Sequence, residues 1–284
     1  MSEPLYARKG QVLTDNIEDY PEGIVLAVDK PYRWTSADVI RKVKWAACRH
    51  FHKKNLKVGH AGTLDPLATG LLLVCIGKAT KLAQDFQHSD KQYIAGVAFG
   101  ATTPSFDREK DVDKRCALDE VREETVREIL PKFVGEQWQV APLFSAKSVD
   151  GVRAYEIARK AYRDAARSGE EFDHSASELL TRQWINISSL ELLAWHDDAS
   201  FLKDEPKGEV SERSARINVA AVPEDLPCAE IRVDCSKGTY IRALARDLGE
   251  ALGSGAFLYS LRRTRNAGCT IENALTLDDV MKLF

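Results

Sequence analysis

No apolar run in this sequence is long enough to cross a membrane. The longest, "GIVLAV" and "LLLVCI", are of strand length, and the N-terminus "MSEPLYARKGQVLTDN" lacks the apolar centre of a secretory signal. A cytoplasmic protein is expected. Paired cysteines are missing too. Cys48, Cys75, Cys116, Cys228, Cys235 and Cys269 lie far apart, with no C-x-x-C pair and no histidine at ligand spacing. Neither a zinc site nor a disulfide framework is indicated, and reduced, mostly buried thiols are expected. Internal repeats, low-complexity tracts and long linkers are also absent. With 44% hydrophobic and 29% charged residues in 284, the chain can fill one large core or two modest domains sharing an interface, which disfavours disorder and coiled coil.

One local absence is more telling. From Arg41 to Lys57, "RKVKWAACRHFHKKNLK" carries seven Lys/Arg, two His and no acid, although the whole chain has a formal net charge of −3. The acids collect instead in "DREKDVDKRCALDE" and "HDDASFLKDEPKGE", which read as exposed excursions. Taken alone, the basic run fits a solvated helix face or a polyanion-binding surface equally well. Its place just before a glycine-rich loop points to phosphate contacts.

Periodicity gives the coarse organisation. "IVLAV" is a short strand ended by "DKP", and Thr35 with Asp38 forms a capping-box pattern that predicts a helix over Ser36–His50. Ile40, Val43 and Ala47 fall on its core side, and Arg41, Lys42, Lys44 and Arg49 mostly elsewhere. "LLLVCIG" and "KQYIAGVAFG" read as strands, followed by a helix over about residues 119–133. "QVAPLFSAKSVDGVRAYEIARKAYRDAARSGEEF" reads as a loop-and-helix insertion. Three strand candidates follow, "WINISSLELL", "ARINVAA" and "AEIRVDC". "SKGTYIRALARDLGEALG" then gives a turn and a helix with Tyr240, Leu244, Leu248 and Leu252 on one stripe. "AFLYSLRRTRNAGCTI" is a further strand region and "LTLDDVMKLF" a terminal helix. Without a regular βαβ cadence, a mixed α+β fold is expected, one catalytic domain with an insertion.

The segment "GHAGTLDPLATG", residues 59–70, is the candidate for chemistry, with one carboxylate among glycines and small side chains. An aspartyl-phosphate phosphatase would need a second carboxylate two residues after Asp65, where Leu67 stands. A phosphate-cradling loop would need Lys-Ser or Lys-Thr after Gly70, where "LLLVCI" begins. What remains open is a structural turn, with Asp65 capping the backbone and Pro66 fixing the exit, or a carboxylate presented for catalysis.

The longer run "GHAGTLDPLATGLLLVCIGKATK" closely resembles the catalytic motif of the tRNA pseudouridine synthase B (TruB) family, whose members isomerise uridine 55 in the T-arm of tRNA. "DKPYRWTS", "KQYIAGVAFGATT", "FSAKSVDGVRAYEIAR", "CSKGTYIRALARDLGEALG" and "LRRTR" follow the family's order from Gly23 to Leu277. The resemblance implies the pseudouridine synthase fold, a central mixed β-sheet flanked by helices, with a thumb-like insertion at about residues 140–180. It implies Asp65 as the catalytic carboxylate, Tyr93 as the residue stacking on the flipped base, and Arg242 as the cation keeping Asp65 ionised. Tyr240 and Leu261 match walls of the base pocket, and His60 a residue that helps extrude the uridine. Lys30 and Lys81 match phosphate or structural contacts. Asp107 is aligned in a supporting role, because the family's "T-x-T-x-D" appears here as "TTPSFD".

The expected organisation is an N-terminal extension over 1–22 and one catalytic domain over 23–284, without the C-terminal PUA domain that many members carry. No cofactor or metal is expected. The expected partner is the T-arm of tRNA, bound by a monomer that needs no protein partner. The alternatives are a guide-RNA-dependent pseudouridine synthase and, from another class, an RNA-binding module that helps tRNA fold.

Overall fold

A computed structural model describes residues 3–145, 148–149, 152–168, 172, 182–204 and 217–284. The elements run, in chain order, as β1 (Leu5–Tyr6), β2 (Ile24–Lys30), α1 (Ser36–His50), β3 (Val58–Ala61), β4 (Thr69–Ile76), α2 (Ala83–His88), β5 (Lys91–Phe99), β6 (Ala101–Thr102) and β7 (Lys114–Arg115). They continue with α3 (Glu123–Ile129), β8 (Gly135–Gln139), β9 (Ser148–Val149), β10 (Val152–Arg153), α4 (Ala154–Ser168), β11 (Gln183–His196), β12 (Cys228–Cys235), α5 (Ile241–Ala251), β13 (Ala256–Asn266), β14 (Cys269–Thr270) and α6 (Leu277–Leu283). The central sheet has the order β1-β2-β4-β13-β5-β12-β11-β8, with β3 added to β4 and β14 to β13. It is mixed, since β1 is parallel to β2 and β4 to β13, while β2–β4 and β12–β11–β8 are antiparallel. This is the α+β class expected.

The chain forms two compact units, Met1–Tyr93 with Lys207–Ile217 and Arg262–Phe284, and Ile94–Pro206 with Asn218–Leu261. The first is organised around β4, whose residues Leu71–Ile76 are all fully buried. That is why this run is continuously apolar rather than alternating. α1 begins where the capping box predicts it. The Thr35 hydroxyl accepts from Asp38 N at 3.0 Å, and Asp38 Oδ2 accepts from Thr35 N at 3.1 Å. Val39, Val43, Ala46 and Ala47 are buried, and Arg41, Lys44 and Arg49 are exposed. Residues 3–22 are tied down on this unit: Leu5 N donates to Gly23 O, Ala7 N donates to Val25 O, and Leu13 is buried.

In the second unit, Ala141, Leu143, Phe144, Ala154, Ala158 and Phe172 form one cluster that includes residues of α4. Most of residues 169–181 lie outside the described residues. Two expected elements differ. The helix over 119–133 is shorter, with α3 over Glu123–Ile129 continued by a 3₁₀ turn over Leu130–Phe133. Before it, the carbonyls of Asp119 and Glu120 are taken by the side chains of Arg122 and Thr125. The "ARINVAA" strand does not form over its described part, residues 217–221. There Ile217 O accepts from Arg33, while Ala220 exchanges backbone and side-chain hydrogen bonds with Arg108, so these groups are satisfied without a ladder. None of the six cysteines is in a disulfide, and Cys75, Cys228 and Cys235 are buried.

Candidate active site

Asp65 stands in the loop between β3 and β4, and that loop is held by its neighbours' backbone atoms. Ser36, buried in the first turn of α1, accepts from Leu64 N at 2.9 Å and donates to Leu64 O at 3.2 Å. On the other side of Asp65, Lys30 at the end of β2 donates to Pro66 O at 3.2 Å, and also to Pro31 O and Trp34 O. Ala68 N closes a turn on Asp65 O at 3.1 Å. Asp65 is half-buried while its flanking residues Leu64, Leu67 and Ala68 are buried. A loop held this way loses little further entropy on meeting a substrate.

Lys30 is fully buried. Burial pushes its ammonium down from the ordinary 10.5 to about 7, against the attraction of Asp65, and Arg263 pushes the same way as burial. Between about 7 and 10.5 the unfolded chain holds a proton on this lysine that the folded chain has released, so stability from this group rises with pH across that window. Below the window its burial penalty is at full size and constant. Urea unfolding of wild type and Lys30→Met at about pH 6.5 and about pH 9 should therefore show wild type gaining on the variant at the higher pH. A pH-independent difference would mean that Lys30 keeps its proton.

The "LRRTR" strand supplies two arginines whose placement sequence reasoning missed. Arg263 is only 1% exposed and donates to Leu71 O at 2.7 Å and Gly62 O at 3.1 Å. Arg262 forks onto Asp29 at 2.8 and 3.3 Å and reaches Thr69 Oγ1 at 3.3 Å. The available signal was two adjacent arginines inside an otherwise apolar strand pattern. His60, on β3 opposite Val74, is half-buried, and its Nδ1 has no hydrogen-bond partner among the described residues. Burial and then Arg263 lower its pKa, which keeps the imidazole neutral near pH 7. Tyr93 is buried on β5, and Lys81 is exposed in the 3₁₀ turn Gly77–Leu82.

The other expected site residues belong to the second unit. Arg242, in the first turn of α5, is buried at 5% exposure. It donates to Ser105 O at 3.1 Å and Phe144 O at 2.8 Å, and its Nε lies 3.7 Å from Asp107 Oδ2. Asp107 is buried as well and accepts from Ser105 Oγ at 2.6 Å and Glu109 N at 2.9 Å. A buried guanidinium is tolerated only with such partners, and here two carbonyls and a carboxylate supply them. Tyr240 is the N-cap residue of α5. Its N donates to Gln139 Oε1 at 2.8 Å, and its O accepts from Gln139 Nε2 at 3.1 Å. Leu261 is half-buried on β13. Arg246, one turn after Arg242, pairs with Asp247 and Glu250 instead. Asp65 and Arg242 therefore stand in different units, each held rigidly by its own surroundings.

The mixed sheet defines the class: the fold is that of the pseudouridine synthases. It is similar to a chain of a Cbf5-Nop10-Gar1 complex, with a TM-score of 0.59 and 23% identity over 99% of this chain and 63% of that one. More particularly, the model for the TruB family pseudouridylate synthase N-terminal domain matches residues 49–241, and that for the tRNA pseudouridylate synthase B C-terminal domain matches residues 242–284. A protein of Phocaeicola vulgatus named tRNA pseudouridine synthase B is 43% identical over 260 residues, 92% of either chain. One of the same name from Bacteroides thetaiotaomicron is 44% identical over 257 residues, 90% of this chain and 91% of that one. The chain belongs to the TruB family. Among the described residues, no helix is long and apolar enough to cross a membrane.

Proposed function

We propose that this protein is a tRNA pseudouridine synthase that converts uridine 55 of the T-arm to pseudouridine. The observation that carries the reading is the mounting of Asp65: its backbone neighbours are pinned by Ser36 and Lys30, and the residue is half-buried between buried Leu64 and Leu67. In the reaction the bond from uracil N1 to ribose C1′ breaks, the base turns, a bond from C5 to C1′ forms, and the C5 proton is lost as N1 gains one. The sum is an isomerisation, so no oxidant, metal or phosphoryl donor enters the balance. The base must first leave the stack, at a cost of a few kcal/mol. In this reading Tyr93 repays part of it by stacking, with Tyr240 and Leu261 as walls and neutral His60 assisting extrusion.

Asp65 acts as an ionised carboxylate, whether on C1′, on C6 or on a ribose proton. The family resemblance assigns Arg242 as its cation, with Asp107 and the carbonyls of Ser105 and Phe144 fixing the guanidinium. Lys30 positions the loop, and Lys81 lies exposed for a phosphate. Residues 23–284 act as one catalytic domain, with residues 140–180 as the thumb that grips RNA. The protein works in the cytoplasm as a monomer, without cofactor or protein partner.

The test is incubation of the purified chain with unmodified tRNA, followed by mapping of pseudouridine. Product is expected at position 55, and its absence there would overturn the reading. Tyr93→Phe, which keeps the ring and removes the phenol, separates stacking from proton transfer. If the hydroxyl takes the C5 proton, the variant binds tRNA normally and turns over at least about a hundredfold more slowly. Unchanged turnover would confine Tyr93 to stacking.

A further inference from the structure

The outer face of α1 carries an aromatic side chain that the reaction above does not use. Trp45 is 59% exposed, and the Arg49 guanidinium lies over its ring at 4.8 Å. Arg41, Trp45 and Arg49 recur every fourth residue, so they form one stripe with a cation one helical turn on either side of the indole. Lys44 is exposed beside the stripe, and Lys42 lies over the Trp34 ring at 5.4 Å. Arg41 is paired with Asp38, but Lys42, Lys44 and Arg49 have no acidic partner among the described residues. The indole is thus exposed beside the unneutralised cations Lys44 and Arg49 and adds nothing to the core, whose share of α1 is Val39, Val43, Ala46 and Ala47.

We infer that this stripe is a second RNA-docking surface, on which Trp45 stacks an unpaired nucleotide of the tRNA while Arg49 and Lys44 hold the adjoining phosphates. Bases stack on an exposed aromatic whatever their sequence, and arginine beside the ring adds both charge and a planar face. An anionic membrane is the weaker occupant. A helix lying on a bilayer needs a broad apolar face to insert, and that face of α1 is already buried in the protein. The inference rests on the proposed tRNA substrate and adds a contact outside the reacting base.

The experiment compares wild type, Trp45→Ala, Trp45→Phe and Lys44→Gln/Arg49→Gln. It measures kcat and KM on tRNA, direct binding of a short oligouridylate across a salt series, and binding to phosphatidylserine vesicles. Trp45→Ala should raise KM for tRNA about tenfold with the loss falling on KM rather than kcat, and Trp45→Phe should recover most of it. The double Gln variant should flatten the log–log salt dependence of oligouridylate binding by roughly 0.7 per lost contact. Unchanged KM and oligouridylate affinity in Trp45→Ala would overturn the inference. So would Trp45-dependent binding to vesicles but not to RNA. Should wild type form no pseudouridine, the proposed activity fails, yet Trp45-dependent oligouridylate binding would still uphold this surface.

Discussion

Asp65→Asn is expected to abolish pseudouridine formation, lowering turnover by at least about four orders of magnitude, while tRNA affinity stays within about tenfold. The asymmetry follows from how the loop is held. Ser36 grips the backbone of Leu64, and Lys30 grips the carbonyl of Pro66. None of these three bonds involves the Asp65 carboxylate, so an isosteric amide leaves them in place. What disappears is the negative charge, and with it any capacity to attack C1′ or C6 or to take up a proton. The lost charge also removes an attraction that favours the Lys30 ammonium, so the variant's lysine sits lower still in pKa. Near pH 7 the lysine escapes most of that cost by releasing its proton, so it amounts to at most about 0.4 kcal/mol and should move a thermal melt by no more than about 2 °C. Multiple turnover by Asp65→Asn would remove the aspartate from the chemistry. Loss of tRNA binding together with turnover would instead make it a docking residue. Retained assistance to tRNA folding would be the mark of a folding module.

Elements whose determinants are local were legible in the sequence. α1 and α6 start at Thr35 and Thr276, where a hydroxyl and a carboxylate three residues apart close reciprocal bonds within a single turn. β4 was legible because burial on both faces leaves a continuous apolar run. Where the determinant lies far away in the chain, the pattern misled. "ARINVAA" alternates as a strand should, but Arg33 and Arg108 take its backbone groups from 184 and 112 residues away. The supports of the loop were hidden for the same reason. Nothing in "DKP" marks Lys30 as buried beneath three carbonyls, and nothing in "LRRTR" tells the half-buried Arg262 from the buried Arg263. The chemistry of the loop was visible because its residues are contiguous, whereas the scaffold around it is assembled from β2, α1 and β13.

The glycines of the loop give the second large effect, and they divide sharply. Gly70 opens β4 with φ +96°, and a Cβ there would stand 2.3 Å from Arg263 O and 2.8 Å from Arg263 N. These are backbone atoms of the parallel neighbour, fixed in register as Arg263↔Gly70, so no rotamer change relieves the clash. Gly59, eleven residues earlier in the same motif, has no neighbour within 4 Å of its would-be Cβ and no left-handed φ. Overpacking against a rigid partner costs about 1–3 kcal/mol and the left-handed φ adds about 1–2, so Gly70→Ala should cost about 4 kcal/mol, whereas Gly59→Ala should change stability by no more than about 0.5 kcal/mol. In melting experiments the first variant should fall by more than about 10 °C and the second should match wild type. The damage at Gly70 is also expected to reach the chemistry. Pushing β13 away carries Arg263 off Leu71 O and Gly62 O, and Arg262 off Asp29, which loosens both ends of the Asp65 loop. A folded remnant of Gly70→Ala, assayed well below its melting point, should thus turn over far more slowly than wild type with substrate affinity less affected. A melting point within about 2 °C of wild type would mean that β4 and β13 can separate freely, and the rigid mounting of Asp65 would fall with it.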